Sequence, residues 1–527
     1  MTFQISLFLA LTAYILQSSS ALITHRSAAE IAECIAKYSP DATVYGQSDN
    51  AFYQSYIGTN LAFEDEKPEL VVIVTSVEDI KAGVKCAIEL GEEVVVRNGG
   101  HSFAGYSYTS GIMLNLDAYN AIDFNRVSNE VTVQSGNRLG RVYGALIEES
   151  ERSGNTQVVG AGTCPTVGAS GHTLCAGWGM FGRKVGYIGD QIASIDLVNA
   201  TGELITVSET ANKDLFYALR GGCSSSFGFI ESITFRMTTL DTDRFVYIDT
   251  RVYDIDNVVR VGNWFQQYGP EDAPPELTIQ WTFGIGGGVP YGRIRGLFLG
   301  SATVAKKELL ADWEAGFDGI YNQSEVEDMF VEYDYLGAVN EFTGLASNGG
   351  PYSALELMAT DELDRETVFY KNSYLQFEVI NDRQAYVKIF NHFEDGNLDF
   401  LQWKCMGGAV DIRDGKEMGS VDRWDQRSPV IRGQRIQTHY GLTAKSWQDY
   451  EDVKARVTLA EQDLVPDWVS GDLWRYPGYL VREYSDNATG PEYFGAENTV
   501  KLAVIRRTAD PEGTLLALSA KDLYKAT

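Results

Sequence analysis

The chain has 527 residues, 44% hydrophobic and 22% charged, enough to bury a large core in two or more domains. Its formal net charge of −29 argues against nucleic acid as a partner, because the phosphates would be repelled. Beyond the first apolar run, no stretch is long enough to span a bilayer.

Residues 3–16 are apolar, and Gln17-Ser18-Ser19-Ser20-Ala21 follow, small and mostly polar. This reads as a secretory signal over residues 1–21, cut near Ala21, so a secreted, extracellular protein is expected. Asn199-Ala-Thr, Asn322-Gln-Ser and Asn487-Ala-Thr are glycosylation sequons that accord with that route. A helix is read over Ala28 to Tyr38 and carries Cys34. Glu69 to Val74 reads as a strand. A second helix, carrying Cys86, runs over Val77 to Leu90 behind the N-cap residue Ser76, with Glu78 and Asp79 in its first turn. Glu92 to Arg97 is the next strand. This β-α-β unit ends in glycines, but no G-x-G-x-x-G stands at a strand-to-helix junction, so it is not a dinucleotide fingerprint.

Val131 to Ser135 alternates as a strand, and a helix follows from Arg138 to Ser150. Ile192 to Val198 and Glu203 to Val207 flank a hairpin-like turn. Residues 22–240 therefore read as one α+β domain. In residues 241–470, strand-like runs (Phe245 to Ile248, Leu277 to Trp281, Ile294 to Leu299) alternate with helical runs such as Val304 to Ala315. That reads as a second α+β domain, with residues 471–527 returning to the first.

Two glycine-rich segments carry the chemistry. Arg97-Asn98-Gly99-Gly100-His101-Ser102 follows the short strand Val94-Val95-Val96. Gly162-Thr163-Cys164-Pro165-Thr166-Val167-Gly168-Ala169-Ser170-Gly171-His172 lies further on. Glycines there let backbone approach a ligand closely and present N–H groups to an anion. A histidine and a cysteine stand at the lips of the two turns, and only a fold can join them.

These motifs resemble the flavin domain of the vanillyl-alcohol-oxidase superfamily, and most closely its berberine-bridge-enzyme-like branch, which includes carbohydrate oxidases. The likeness continues through Gly186-Tyr187-Ile188-Gly189-Asp190, residues 214–222, Phe227-Gly228, Tyr493-Phe494-Gly495 and Asp510-Pro511. It implies a two-domain PCMH-type FAD-binding fold of α+β class, with a mainly antiparallel sheet as substrate floor. It implies FAD held bicovalently, by His101 at the 8α-methyl carbon and by Cys164 at ring carbon 6. Arg97, Asn98, Gly99, Gly100, Ser102, Gly168, Gly171, His172, Asp190 and Ile230 complete the expected cofactor site, with no metal. Relatives join the helices of Cys34 and Cys86 by a disulfide, which secretion permits. Cys175, Cys223 and Cys405 cannot be paired from sequence.

The resemblance also implies the catalytic set. The family's Tyr-x-Asn-(Tyr/His) motif matches Tyr476-Pro477-Gly478-Tyr479, with glycine in place of asparagine. Tyr476 is the expected active-site tyrosine, with Tyr479 beside it and Arg475 or Arg482 as cations that favour a phenolate. Gln437 matches a flavin-facing Gln or Glu. His439 shares its strand face and titrates near neutrality, which suits a base. One departure stands out. Carbohydrate oxidases of this branch often carry an acid two residues after a glutamine, and here Lys404 takes that place in Gln402-Trp403-Lys404.

Three functions compete. One is oxidation of a hydroxyl-bearing small molecule or oligosaccharide, with O2 as acceptor giving hydrogen peroxide. Another is oxidation or oxidative cyclisation of a specialised metabolite, toward which Lys404 leans. The third is a non-catalytic secreted binding protein, against which intact His101 and Cys164 argue.

Overall fold

In this computed structural model the described residues are 26–59, 61–103, 105–223, 227–347, 350–358, 368–376, 379–410, 429, 434–444, 449–468, 493–511 and 515. The expected signal segment, the Asn487 sequon, Arg475, Tyr476, Tyr479 and Arg482 lie outside them.

Helix α1 (Ala28–Tyr38) starts at a capping box in which Ser27 and Glu30 satisfy each other's backbone. It buries Ile31, Cys34 and Ile35 on one face. Strands β1 (Thr43–Gly46) and β2 (Leu70–Ile73) lead into α2 (Val77–Leu90). Ser76 and Asp79 cap α2, and Gly91 ends it at φ 71°, which glycine adopts without strain. Cys34 and Cys86 are joined, their Cα atoms 5.8 Å apart, as the resemblance implied. Strands β3 (Val94–Arg97) and β4 (Ile112–Asn115) complete a sheet ordered β1-β2-β4-β3. Both β2 and β3 run parallel to β4, and their apolar runs are buried as such strands require.

The chain continues through β5 (Ile122–Asn125), β6 (Glu130–Gln134), α3 (Leu139–Ser153), β7 (Thr156–Val158) and the short α4 (Ala169–Leu174). Next come β8 (Ile192–Val198), β9 (Leu204–Ser208), α5 (Lys213–Leu219), β10 (Phe229–Arg236) and β11 (Thr238–Leu240). Five of these strands form an antiparallel sheet ordered β5-β6-β10-β8-β9, with β8 and β9 as the expected hairpin. Cys175 and Cys223 are joined as well, which leaves Cys164 and the buried Cys405 as free thiols.

The remaining strands make one seven-stranded sheet ordered β15-β12-β14-β13-β17-β18-β16, with every pairing antiparallel. They are β12 (Phe245–Tyr253), β13 (Leu277–Gly286), β14 (Val289–Phe298), β15 (Val331–Tyr333), β16 (Val368–Gln376), β17 (Phe400–Cys405) and β18 (Ile436–Ala444). Helices α6 (Ile255–Gln267), α7 (Ala302–Gly316), α8 (Tyr335–Thr343), α9 (Arg383–Glu394) and α10 (Tyr450–Trp468) accompany them.

The period of two decides the faces of this sheet. Ile279, Trp281 and Phe283 alternate with Gln280 and Thr282, and Leu401, Trp403 and Cys405 alternate with Gln402 and Lys404. The apolar set packs against α6, α7, α9 and α10, with Trp281, Trp313 and Trp403 wholly buried. Each such side chain stabilises the fold by about 1.5–3 kcal/mol or more. A Cβ on Gly292 would stand 1.8 Å from the Trp281 ring, so only glycine fits there. The polar set faces the flavin-type domain. Arg183, 2% exposed, crosses between the two and donates to the carbonyls of Ala273, Pro274 and Leu277. Tyr187 joins the same seam by accepting from Gln434 Nε2 at 2.7 Å. Late in the chain, α11 (Ala496–Ala509) packs on α5, where Tyr217 donates to Asn498 at 2.6 Å.

Candidate active site

The first glycine-rich loop leaves β3 at Arg97. That guanidinium is buried and spends its donors on structure, Nε on the Ile57 carbonyl and Nη1 on Asp117 at 2.7 Å. Arg138 donates to the other oxygen of Asp117 at 3.0 Å. Burial pushes the Asp117 carboxyl up, but the two guanidiniums outweigh it and hold the group below its usual range. Asn98 donates to the carbonyls of Ser135 and Asn137, at 2.5 and 2.9 Å. The loop then crosses the second glycine-rich loop so closely that a Cβ on Gly99 would stand 2.5 Å from the Thr166 carbonyl. Gly100 turns at φ 67°, its carbonyl accepting from Thr59 N. Ser102 accepts from Tyr106 N at 3.1 Å.

The second loop leaves β7 and enters α4 at Gly168. Between them, one hydroxyl joins the two motifs. Thr166 Oγ1 lies 2.9 Å from His101 Nε2 and 3.7 Å from Cys164 Sγ. Residues 63 positions apart in sequence thus stand at one point, both half-exposed. Cys164 is a free thiol.

His172 stands on α4, just after the second loop. A Cβ on Gly162 would meet its ring at 2.7 Å and one on Gly177 at 2.6 Å, so the two glycines make room for it. Its Nε2 is buried with no hydrogen-bond partner among the described residues. Burial first, and the nearby Lys404 ammonium second, push its pKa down to about 3, so the ring is neutral. The Cys175–Cys223 disulfide follows directly on α4, and Cys223 N donates to the Leu174 carbonyl. It ties the far end of the His172 helix to the turn after α5.

On the seven-stranded sheet, Gln437 and His439 of β18 lie on one face, as the strand period required. Gln437 is wholly buried, and neither end of its amide has a partner among the described residues. His439 Nε2 lies 2.6 Å from Gln402 Oε1, and Gln402 Nε2 donates to Thr282 Oγ1 at 3.1 Å. Lys404 Nζ stands 4.7 Å from the centre of the Trp178 ring. That contact brings the sheet against the segment that follows α4.

Two expected cofactor residues sit differently. Asp190 accepts from Tyr187 N at 3.0 Å and lies 4.0 Å from Arg220, so it holds the turn that supports α4. Ile230 is buried in the core at a β-bulge of β10. Sequence reasoning missed Thr166, Trp178 and the polar partners Gln402 and Thr282. The signal for the last two was present, since polar residues at every second position of β13 and β17 mark one face.

The residues fit FAD. An imidazole and a thiol converge at one hydroxyl, and the orphaned His172 Nε2, Asn98 Oδ1 and Gln437 amide are buried polar atoms that a polar ring system would satisfy.

Comparison with known proteins agrees. Residues 68–208 match the FAD binding domain family. The chain is 30% identical to xylooligosaccharide oxidase of Thermothelomyces thermophilus over 61% of its own length and 64% of that protein's. It is 28% identical to chitooligosaccharide oxidase of Gibberella zeae over 94% of both. The structure of berberine bridge enzyme from Eschscholzia californica superposes with a TM-score of 0.79 at 20% identity, covering 94% of this chain and 99% of that one. Residues 68–208 carry an FAD binding domain, and the fold of the whole is that of the PCMH-type FAD-binding proteins. The chain is similar to berberine-bridge-enzyme-like proteins and to fungal oligosaccharide oxidases, and it shares the fold of the former.

Proposed function

We propose that the protein is a secreted FAD-dependent oxidase that carries its flavin on both His101 and Cys164. It oxidises a hydroxyl-bearing substrate, passes the electrons to O2 and yields hydrogen peroxide. The observation that carries this reading is the meeting of His101 and Cys164 at Thr166 Oγ1. A retained binder has no use for that arrangement. The joined cysteine pairs accord with an oxidising compartment.

When bound, FAD supplies the hydride acceptor. The protein must hold the substrate C–H against it and take the hydroxyl proton. Tyr476, with Tyr479 beside it, is assigned that proton by its motif. Gln437 offers a donor and an acceptor that orient the hydroxyl. His439 is held by Gln402 in the tautomer with hydrogen on Nε2, since an amide oxygen only accepts. His172, half-buried with its Nε2 shielded and its ring neutral, positions the second glycine-rich loop. Arg97, Asn98, Gly99, Gly100, Ser102, Gly168 and Gly171 shape the cradle.

Oligosaccharides are named as the substrates of two relatives, and an oligosaccharide is the first substrate class to test. Lys404 favours the second reading, a flavin oxidase or oxidative cyclase of a specialised metabolite, because it stands where sugar oxidation of this branch uses an acid. Incubation of the purified protein with a panel of oligosaccharides and other alcohols, with peroxide as the readout, tests both. Peroxide from none of them overturns the oxidase reading.

A further inference from the structure

A cavity of about 360 Å³ opens on the flavin-type domain between β5 and α3, and no residue of either glycine-rich loop lines it. The strand and helix periods build its floor. Ile122 and Phe124 share one face of β5, and Ala145 meets them from α3. Met358 closes one side. It ends the short helix Ala354–Met358, which rests on α3 at Gly140 and Gly144. A Cβ on Gly144 would stand 2.4 Å from the Ala354 carbonyl and 2.6 Å from Met358 Cγ, so this wall stands where it does because that position is glycine.

Three arginines reach this one cavity in a chain whose net charge is −29. Arg126 and Arg152 hold the carboxylate of Glu149 between them, and that carboxylate is buried. Each gives it Nε and Nη2, so each keeps Nη1 without a hydrogen bond among the described residues. Arg141 stands one turn before Ala145 on α3. It is half-buried and makes no hydrogen bond or ion pair among the described residues. Glu148 lies exposed at the rim. Three guanidiniums against two carboxylates leave the lining with one positive charge in excess. A guanidinium fork with no partner, set beside an apolar floor, is completed best by an anion that carries an apolar body.

We propose that this cavity binds an amphipathic monocarboxylate, one carboxylate on a ring or a short aliphatic chain. The two oxygens accept from the Arg141 fork, and the apolar body lies over Ile122, Phe124 and Met358. A single carboxylate matches the single excess charge, whereas a phosphate dianion overshoots it beside Glu148. The space exceeds the ~150 Å³ that admits a benzene ring. The site is separate from the one assigned to flavin, and it stands whether or not the oxidase reading does.

The test is calorimetry on the full flavin-loaded chain with two pairs, 3-phenylpropionate against 3-phenylpropanamide and hexanoate against hexanamide. The acid of at least one pair should bind about 10-fold tighter or more than its amide. Acetate keeps the charge without the body and should bind about 10-fold more weakly than that acid, or worse. Arg141→Gln should bring the ratio of acid to amide toward one. Arg141 makes no bond in the fold, so its loss leaves the chain folded, which the urea unfolding midpoint checks. Ala145→Met fills the floor without touching a charge and should weaken acid and amide alike. Equal affinity for acid and amide in both pairs overturns the proposal. So does a ratio untouched by Arg141→Gln, which would place the acid at another site, or acid binding untouched by Ala145→Met. Acetate as tight as the longer acids would reduce the cavity to a surface charge, and tighter binding of phenyl phosphate would assign it to another anion. Either result overturns the proposal as well.

Discussion

His101 and Cys164 approach the same atom, Thr166 Oγ1, one at 2.9 Å and the other at 3.7 Å. The loops that carry them are locked by contacts too tight for any side chain at Gly99 or Gly168. These are the two residues on which the proposed double covalent link rests. Acid-precipitated protein should be yellow. His101→Ala and Cys164→Ala should each keep the colour on the chain, and only the double variant should release it. Thr166→Val removes the shared hydroxyl and should slow attachment while the chain folds. Colour in the supernatant of precipitated wild type would refute the double link.

The Cys34–Cys86 bridge closes a separation of 52 residues between the helices that cover the first sheet. Loop-closure entropy gives such a bridge about 2–5 kcal/mol. Cys86→Ser should cost that much in urea unfolding, with little change in flavin spectrum. Reductant should destabilise wild type more than the variant, which keeps only the Cys175–Cys223 bridge. An equal response of both to reductant shifts the effect to Cys175–Cys223.

His172 sets an acid limit. Its pKa is about 3 in the fold, lowered by burial and then by Lys404, against about 6.5 in the unfolded chain. The unfolded chain therefore binds a proton that the folded one refuses. The histidine's contribution is complete above about pH 6.5 and is lost as pH falls toward 3, at up to about 1.4 kcal/mol per unit. His172→Gln should flatten that part of the stability curve relative to wild type. Parallel curves would show that the ring is protonated in the fold.

Much of this was legible from sequence because the signals were local. Ser27, Ser76 and Gly91 mark helix ends, and the valine runs of β2 and β3 mark buried strands. The two glycine motifs marked the loops that the fold brings together at Thr166. What stayed hidden depends on register between distant strands. Nothing local says that Arg295, Lys404 and Gln437 share a row, nor that Lys404 meets Trp178. The Cys175–Cys223 pairing was hidden for the same reason, since β8, β9 and α5 intervene between the cysteines.

The remaining question is which group takes the substrate proton, Tyr476 or His439. The motif assigns it to Tyr476. The structure gives His439 a defined state, because Gln402 Oε1 accepts from Nε2 and Gln402 Nε2 is committed to Thr282. The ring is also pinned edge-on by Phe400, with centroids 4.8 Å apart. A ring so held orients well but is part of the wall, and its partner is a neutral amide that cannot take up a second proton. We therefore propose His439 as the positioning residue and keep Tyr476, on its motif, as the proposed base. Tyr476→Phe keeps the ring and should fold, stay yellow and reduce its flavin about 10²-fold more slowly or worse. His439→Gln should cost less and act mainly on KM, and Gln402→Leu should mimic it, because both free the same wall. The pH profile of flavin reduction should lose its rise with pH in Tyr476→Phe and keep it in His439→Gln. Wild-type reduction in Tyr476→Phe, with a folded but inactive His439→Gln, would move the proton to the imidazole.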